Sequence, residues 1–252
     1  MYKRALKVPV ALVGKILRFY WDLPFGRKLA TSVLFATGFC WPAYRRYEAE
    51  KIEQKHQEAI TDYVFMDFSA NNKYIGRVLI GLYGRKAPLS VENFIQLCKG
   101  YTVKDKTIGY RNTKIERIIN GLSIHGGALL HDTYGRDQLS IYGKSFPDET
   151  YSIGFVQDGD VAMLNSGAVG NASRYFITLT KQKALNRRAV VIGTIVKGMK
   201  VVREIGKQGA QDGLPLQDIR IIHCGLYRGE IDGPASYTFT DAAEAYQQGA
   251  NS

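Results

Sequence analysis

From residue 62 onward, apolar residues recur at the two-residue period of strands and at the three- and four-residue spacing of one helix. The run 63–68, Tyr-Val-Phe-Met-Asp-Phe, is followed by a polar turn at Ala70-Asn71-Asn72 and a second run from Tyr74 to Tyr83. Two strands about a short polar turn predict a hairpin. Pro88 opens a predicted helix that runs through Leu97, with Gly100 after its end. Next comes 114–127, where Ile115, Ile118, Ile119 and Ile124 favour strand, one arginine, Arg117, stands among them, and Gly126-Gly127 closes the segment. The glycines let the backbone turn or approach another chain segment closely. A guanidinium set among apolar residues costs desolvation unless something meets it. The remaining strands follow at short spacing. Short strands at close spacing predict a mainly β domain built as a closed antiparallel barrel. After about residue 229 the chain turns polar, rich in Gly, Ala, Ser and Gln, and reads as a tail.

The first 60 residues have a different pattern. Residues 3–21 place Lys3, Arg4, Lys7, Lys15 and Arg18 roughly on one helical face, with Leu6, Val10, Leu12, Val13, Ile16, Leu17 and Phe19 on much of the rest. No acid precedes Asp22, so 1–22 reads as a basic amphipathic segment, interfacial or mitochondrial-targeting. Residues 29–44 carry no charge, are bracketed by Arg27-Lys28 and Arg45-Arg46, and bring Trp41 and Tyr44 to one end. We expect a single membrane-crossing helix over 23–46. Its uncharged part is shorter than the usual ~20 residues, a deficit that snorkelling basic side chains offset. Residues 47–60 are strong helix formers without Gly or Pro and predict a polar helical stalk.

Charge sharpens this division. The 252-residue chain carries a formal net charge of +11, and residues 1–60 hold +6 of it. A basic excess beside an apolar run points to a membrane surface rather than to nucleic acid. Seven Lys and Arg precede the predicted span against one acid, whereas residues 45–60 carry four of each sign. The N-terminus is therefore expected on the side from which insertion begins. The three cysteines, Cys40, Cys98 and Cys224, are too few and too widely spaced for a disulfide framework or a metal cluster. His56, His125, His131 and His223 form no metal-ligand spacing, and no phosphate-binding Gly-rich loop or nucleophile elbow is present. No metal or other cofactor is implied.

The motifs of residues 61–228 resemble the cyclophilins, the prolyl cis/trans isomerases. The resemblance rests on Lys114 to Gly127, on Gly76 to Tyr83 with Ala87-Pro88 and Glu92-Asn93-Phe94, and on Ser140-Ile-Tyr-Gly-Lys144 with Phe146 and Asp148-Glu149. It continues through 160–165, Arg174-Tyr-Phe176-Ile177, and 190–193 with Gly198-Met199. It implies an eight-stranded closed barrel with a helix capping each mouth. The second capping helix falls either near 171–181 or just beyond Gly198. It also implies a proline-peptide site. Arg117 matches the arginine that faces the prolyl nitrogen, Phe176 a pocket aromatic, and Asn165 the asparagine that grips the peptide backbone.

The departures from the family pattern are many. Leu122 and Ser123 stand where the family has Phe-Met, His125 and Arg174 where it has glutamines, Ala184 for a pocket-side tryptophan or histidine, and Ala189 for a ring-contacting histidine. Less buried ring area forfeits about 1–3 kcal/mol. Arg174 near Arg117 is expected to add like-charge repulsion. The resemblance therefore implies a vestigial pocket, with Arg117 as the remnant catalytic group and Leu122, His125, Asn165, Arg174, Phe176 and Leu185 around it, and no strong isomerase.

Residues 23–46 also resemble the single-span subunit VIIc of cytochrome c oxidase, through Leu23-Pro-Phe25, Lys28, Leu34-Phe35, Gly38-Phe39 and Pro42. That implies a non-catalytic accessory subunit of a mitochondrial respiratory-chain complex, most naturally cytochrome c oxidase. Its partners would be neighbouring subunits and the lipid bilayer, not nucleic acid. It would sit in the inner membrane, with the N-terminus in the matrix and the barrel in the intermembrane space. The alternative is an active membrane-tethered isomerase or chaperone. A third reading, a signal-anchored secretory-pathway protein, would be marked by glycosylation at the Asn171-Ala-Ser173 sequon.

Overall fold

The structure, a computed structural model, describes residues 59–103, 106–129, 139–165 and 170–229, with Pro24, Arg27, Ser32, Trp41, Pro42, 44–47 and Lys51 before them. The chain divides into two compact units, 1–55 and 56–252, and the described elements belong to the second. The amphipathic segment 1–22, most of the predicted span and stalk, and the tail beyond 229 lie outside the described residues. Among the described residues, no helix is long and apolar enough to cross a membrane.

The first hairpin forms as the alternation predicts. Strand β1, Asp62–Ala70, pairs antiparallel with β2, Lys73–Leu82. Asn71 and Asn72 carry the turn at φ 48° and 63°, in the left-handed region that asparagine tolerates better than most residues. Pro88 sits in the first turn of α1, Pro88–Lys99, and Gly100 ends it at φ 87°. A two-stranded ribbon that the sequence pattern did not announce follows: β3, Tyr101–Val103, and β4, Lys106–Ile108. Strands β5, Ile115–Ile119, β6, Ser123–Gly126, β7, Asp160–Met163, and β8, Tyr175–Thr178, come next. The chain then runs through β9, Val191–Lys197, to α2, Met199–Gly206, which settles the second helix beyond Gly198. Strand β10, Ile219–Leu226, ends the domain.

Eight of these strands form one antiparallel sheet in the order β10-β1-β2-β9-β7-β8-β6-β5. The two edges approach each other. Lys114 bridges Arg220, Asn112 N–H donates to Ile221 O at 2.6 Å, and Ile221 N–H donates to Thr113 O at 3.0 Å. The sheet is thus nearly closed into a barrel, and exposed edges are almost eliminated.

The barrel interior holds the main core: Val64, Met66 and Phe68 of β1, Val78, Ile80 and Leu82 of β2, and the buried face of α1 through Val91, Phe94 and Leu97. Phe94, Tyr110 and Tyr175 form an aromatic triangle with centroids 5.2–5.3 Å apart. The buried Tyr110 hydroxyl donates to Ser173 O at 2.7 Å, so the ring is buried without an orphaned polar atom. Asn93 ties α1 to two segments at once: Nδ2 donates to Ala172 O at 2.9 Å, and Oδ1 accepts from Ile141 N–H at 3.0 Å. The residue before α1, Ala87, cannot cap its free N–H groups. Glu149 does so from a distant loop, accepting from Leu89 N–H at 2.9 Å and Ser90 N–H at 3.1 Å.

Asp160, fully buried at the start of β7, accepts from the N–H groups of Val156 at 2.8 Å and Gln157 at 3.1 Å. Burial lifts its pKa to about 6, against those two donors. The folded protein therefore holds this proton to higher pH than the unfolded chain. The resulting stability is complete below the ordinary value of 3.8 and is lost as pH rises through about 6. A shift of this size is worth on the order of 3 kcal/mol. Asp160→Asn keeps an acceptor for both N–H groups and removes the titration. In urea denaturation at about pH 4 and about pH 7, the variant should show a difference in stability smaller than the wild type's by on the order of 2 kcal/mol.

Candidate functional site

Cross-strand register decides what faces outward. Arg117 on β5 pairs with His125 on β6, His125 with Phe176 on β8, Phe176 with Ala162 on β7, and Ala162 with Val191 on β9. Directly paired residues share a face, and their neighbours in sequence take the other. Ile118, Ile124, Ile177 and Val161 accordingly line the barrel interior. The outward row gains a cover of its own. Phe155, Ile153, Tyr83 and Ala189 pack with Phe176, Ala162 and Val191 in a second apolar cluster, with Leu164 and Leu185 at its margin. Both faces of this part of the sheet are therefore packed, and the outer layer supplies a floor.

Three rings stack along that floor. His125 lies on Phe176 at 5.5 Å and 24°, and Phe155 lies on Phe176 at 5.7 Å and 16°. Phe155 is held in turn by Asn186, whose Oδ1 accepts from its N–H at 2.8 Å. His125 Nε2 shares a hydrogen bond with Ser123 Oγ at 2.8 Å. Burial lowers the His125 pKa, and the guanidinium groups of Arg117 and Arg174 lower it further. The imidazole is therefore neutral at neutral pH, a hydrogen-bonding group rather than a third cation.

Arg117 is exposed beside this stack. Its stem runs over Gly213: a Cβ added there, at φ +86°, would come within 3.0 Å of Nε. Gly213 O also accepts from Ile118 N–H at 2.8 Å, so the 210–213 loop fixes the strand that carries the arginine. The Gly126-Gly127 pair works as the sequence suggests. Gly127 has φ +97°, and a Cβ there would lie 2.5 Å from Ser173 O, so β6 lies against the chain entering β8 only because the side chain is absent.

The remaining predicted site residues fall at different places. Leu185 packs on the aromatic layer and joins the site. Asn165 Nδ2 donates to Asp148 Oδ2 at 2.5 Å, and Asn165 Oδ1, which is buried, has no hydrogen-bond partner among the described residues. Asp148 also takes Asn171 Nδ2 at 2.8 Å and the Tyr151 hydroxyl at 2.6 Å. Leu122 stands 46 % exposed at the tip of the β5–β6 turn. Arg174 is paired: its Nη2 lies 3.5 Å from Glu116 Oε2. Burial raises the Glu116 pKa and Arg174 pulls it back down. The repulsion expected between Arg174 and Arg117 is thus offset by a carboxylate on β5, beside Arg117 itself, a partner for Arg174 that sequence spacing does not show. Phe155 and Asn186 went unanticipated. Their only trace in sequence is an aromatic beside Gly154 in an otherwise loop-like stretch.

Residues 65–226 match the family described as "Cyclophilin type peptidyl-prolyl cis-trans isomerase/CLD". The chain is similar to peptidyl-prolyl cis-trans isomerase CYP21-1 of Arabidopsis thaliana, 39 % identical over 71 % of this chain and 80 % of that protein. It is also similar to a peptidyl-prolyl cis-trans isomerase of Encephalitozoon cuniculi, 37 % identical over 63 % of this chain and 89 % of that protein. Peptidyl-prolyl cis-trans isomerase B of Saccharomyces cerevisiae is 35 % identical over 72 % of this chain and 87 % of that protein.

Phe176 is 4 % exposed between two rings, whereas Leu122 stands in solvent. Phe176→Ala should therefore cost about 3–5 kcal/mol in urea denaturation, and Leu122→Ala about 0.5 kcal/mol or less. Equal costs would show that the outer aromatic layer is not packed as described.

Proposed function

The chain belongs to the cyclophilin-type peptidyl-prolyl cis-trans isomerases, and from that membership we propose that it binds proline-containing segments across the Arg117–His125–Phe176 row and catalyses their isomerisation. The carrying observation is the exposed guanidinium of Arg117 set beside a stacked aromatic floor on three consecutively paired strands.

An X-Pro bond rotates over a barrier of ~18–20 kcal/mol, because amide resonance resists the twist. A donor aimed at the prolyl nitrogen favours the twisted form, in which that nitrogen regains its lone pair, over the planar one. Arg117 is permanently charged and reaches solvent, so it supplies that donor without a protonation step. Phe176, stacked between His125 and Phe155, anchors the apolar floor on which the ring rests. Neutral His125 offers a hydrogen bond where a cation would oppose Arg117. Ala184 and Ala189 leave the pocket wall thin, so ring binding is shallow and turnover modest.

A second reading rests on that thin wall and on the uncharged run 29–44. In it the barrel is a non-catalytic accessory domain of a mitochondrial inner-membrane respiratory complex, most naturally cytochrome c oxidase. The N-terminus lies in the matrix and the barrel in the intermembrane space. This reading expects the native protein to co-migrate with respiratory subunits in mild detergent.

Exchange NMR on a proline peptide with the full chain separates the two. The isomerase reading expects acceleration over the uncatalysed rate, reduced at least about tenfold by Arg117→Ala, which corresponds to ~1.4 kcal/mol of barrier. A wild-type rate equal to the uncatalysed one leaves only the accessory reading.

A further inference from the structure

We propose that the segments this site takes are acidic: proline peptides with Glu or Asp beside the proline. The inference rests on the proline-peptide reading above and names its substrate class. Residues 161–203 contain eight Lys and Arg and no Asp or Glu. That stretch supplies β7, β8 and β9, and hence the floor of the site and one of its walls.

The cations stand on both flanks of the aromatic stack. On the His125 side are Arg117, exposed, and Arg174, whose side chain stays 36 % exposed while it pairs with Glu116. On the Phe155 side is the turn around Lys183–Leu185, where Lys181, Lys183, Arg187 and Arg188 are all exposed. This turn is anchored. Leu185 packs on the outer layer, Asn186 accepts from Phe155 N–H, and Arg188 N–H donates to Leu185 O at 3.0 Å. Arg187 is held at φ +62°, a conformation in which glycine or asparagine would cost less. The positive groups are therefore fixed near the floor and not scattered on a loose loop.

The acids nearby do not balance them. Glu116 is taken by Arg174, Asp148 is wrapped by three donors and Asp160 is buried beneath, which leaves Asp212, exposed in the loop under Arg117 and accepting from Leu214 N–H, against six cations. Arg203, the last of the eight, is paired with Asp158 at 2.5 Å. A single exposed ion pair contributes little, but several like charges around one binding surface set its potential, select the sign of the ligand and speed its encounter. Arginine pairs with a carboxylate in a two-pronged geometry that lysine lacks.

Three peptides of the form Ala-Xaa-Pro-Xaa-Ala, with Xaa as Glu, Ala or Lys, test this by NMR titration against the full chain. At low salt the Glu peptide should bind about tenfold tighter than the Lys peptide, and the gap should close toward about 1 M salt, where exposed charges are screened. The charge-reversed variant Lys183→Glu/Arg188→Glu should shrink or invert the gap. Equal binding of all three peptides overturns this inference and leaves the proline-peptide reading standing. Binding of none overturns both. A gap unchanged in the charge-reversed variant also overturns it, because the charges named here would not be the ones that select.

Discussion

The strand period of two, carried across five paired strands with register shifts between Ile115 and Arg117 and between Val161 and Ala162, is the constraint everything else depends on. It sends Ile118, Ile124, Ile177 and Val161 into the barrel and Arg117, His125, Phe176 and Ala162 outward. A one-residue slip of β5 against β6 would bury the guanidinium and expose an isoleucine, at a cost of several kcal/mol for an unpaired buried charge. Register is therefore specified by the core. The site inherits its geometry from the same hydrophobic burial that stabilises the fold.

The supporting parts hold that register. Gly127 lets β6 close against the segment before β8, and Tyr110 reaches the same segment through Ser173 O. Asn93 ties α1 to the loop at 141 and to Ala172. Glu149 and its neighbour Asp148 act as paired anchors, one satisfying the free end of α1 and the other gathering Asn165, Asn171 and Tyr151. The loop between β6 and β7 thus bonds to the helix at one point and to the strands at another. It can then hold Phe155 flat against Phe176. A flat loop aromatic with its N–H bonded to Asn186 converts the outside of a sheet into the floor of a binding site.

Much of this was legible in the residues. The first hairpin, α1 and the glycine pair followed from alternation, Pro88 and the Gly-Gly step, because those signals are local. The family motifs implied an eight-stranded barrel and grouped Arg117, His125 and Phe176 in one pocket. Other features were not legible because they are contacts between distant segments. The Arg174–Glu116 pair joins β5 to the residue before β8, 58 positions away in sequence, and the Phe155–Phe176 stack joins a loop to a strand. The β3–β4 ribbon is too short and too polar to show a period. Leu122, matched to a pocket residue by position, stands 46 % exposed on the turn, a placement that its sequence neighbours do not show. The basic run of 161–203 was visible in sequence. Only the fold shows that five of its eight charges, Arg174, Lys181, Lys183, Arg187 and Arg188, flank a single aromatic floor.

The central claim is that the outward row across β5, β6 and β8 is where proline peptides bind. A structure of the protein with a bound proline peptide tests it most directly. The account predicts the proline ring resting against Phe176, with the prolyl nitrogen facing the Arg117 guanidinium. A ring seated elsewhere on the barrel, with Phe176 still covered only by His125 and Phe155, would contradict it.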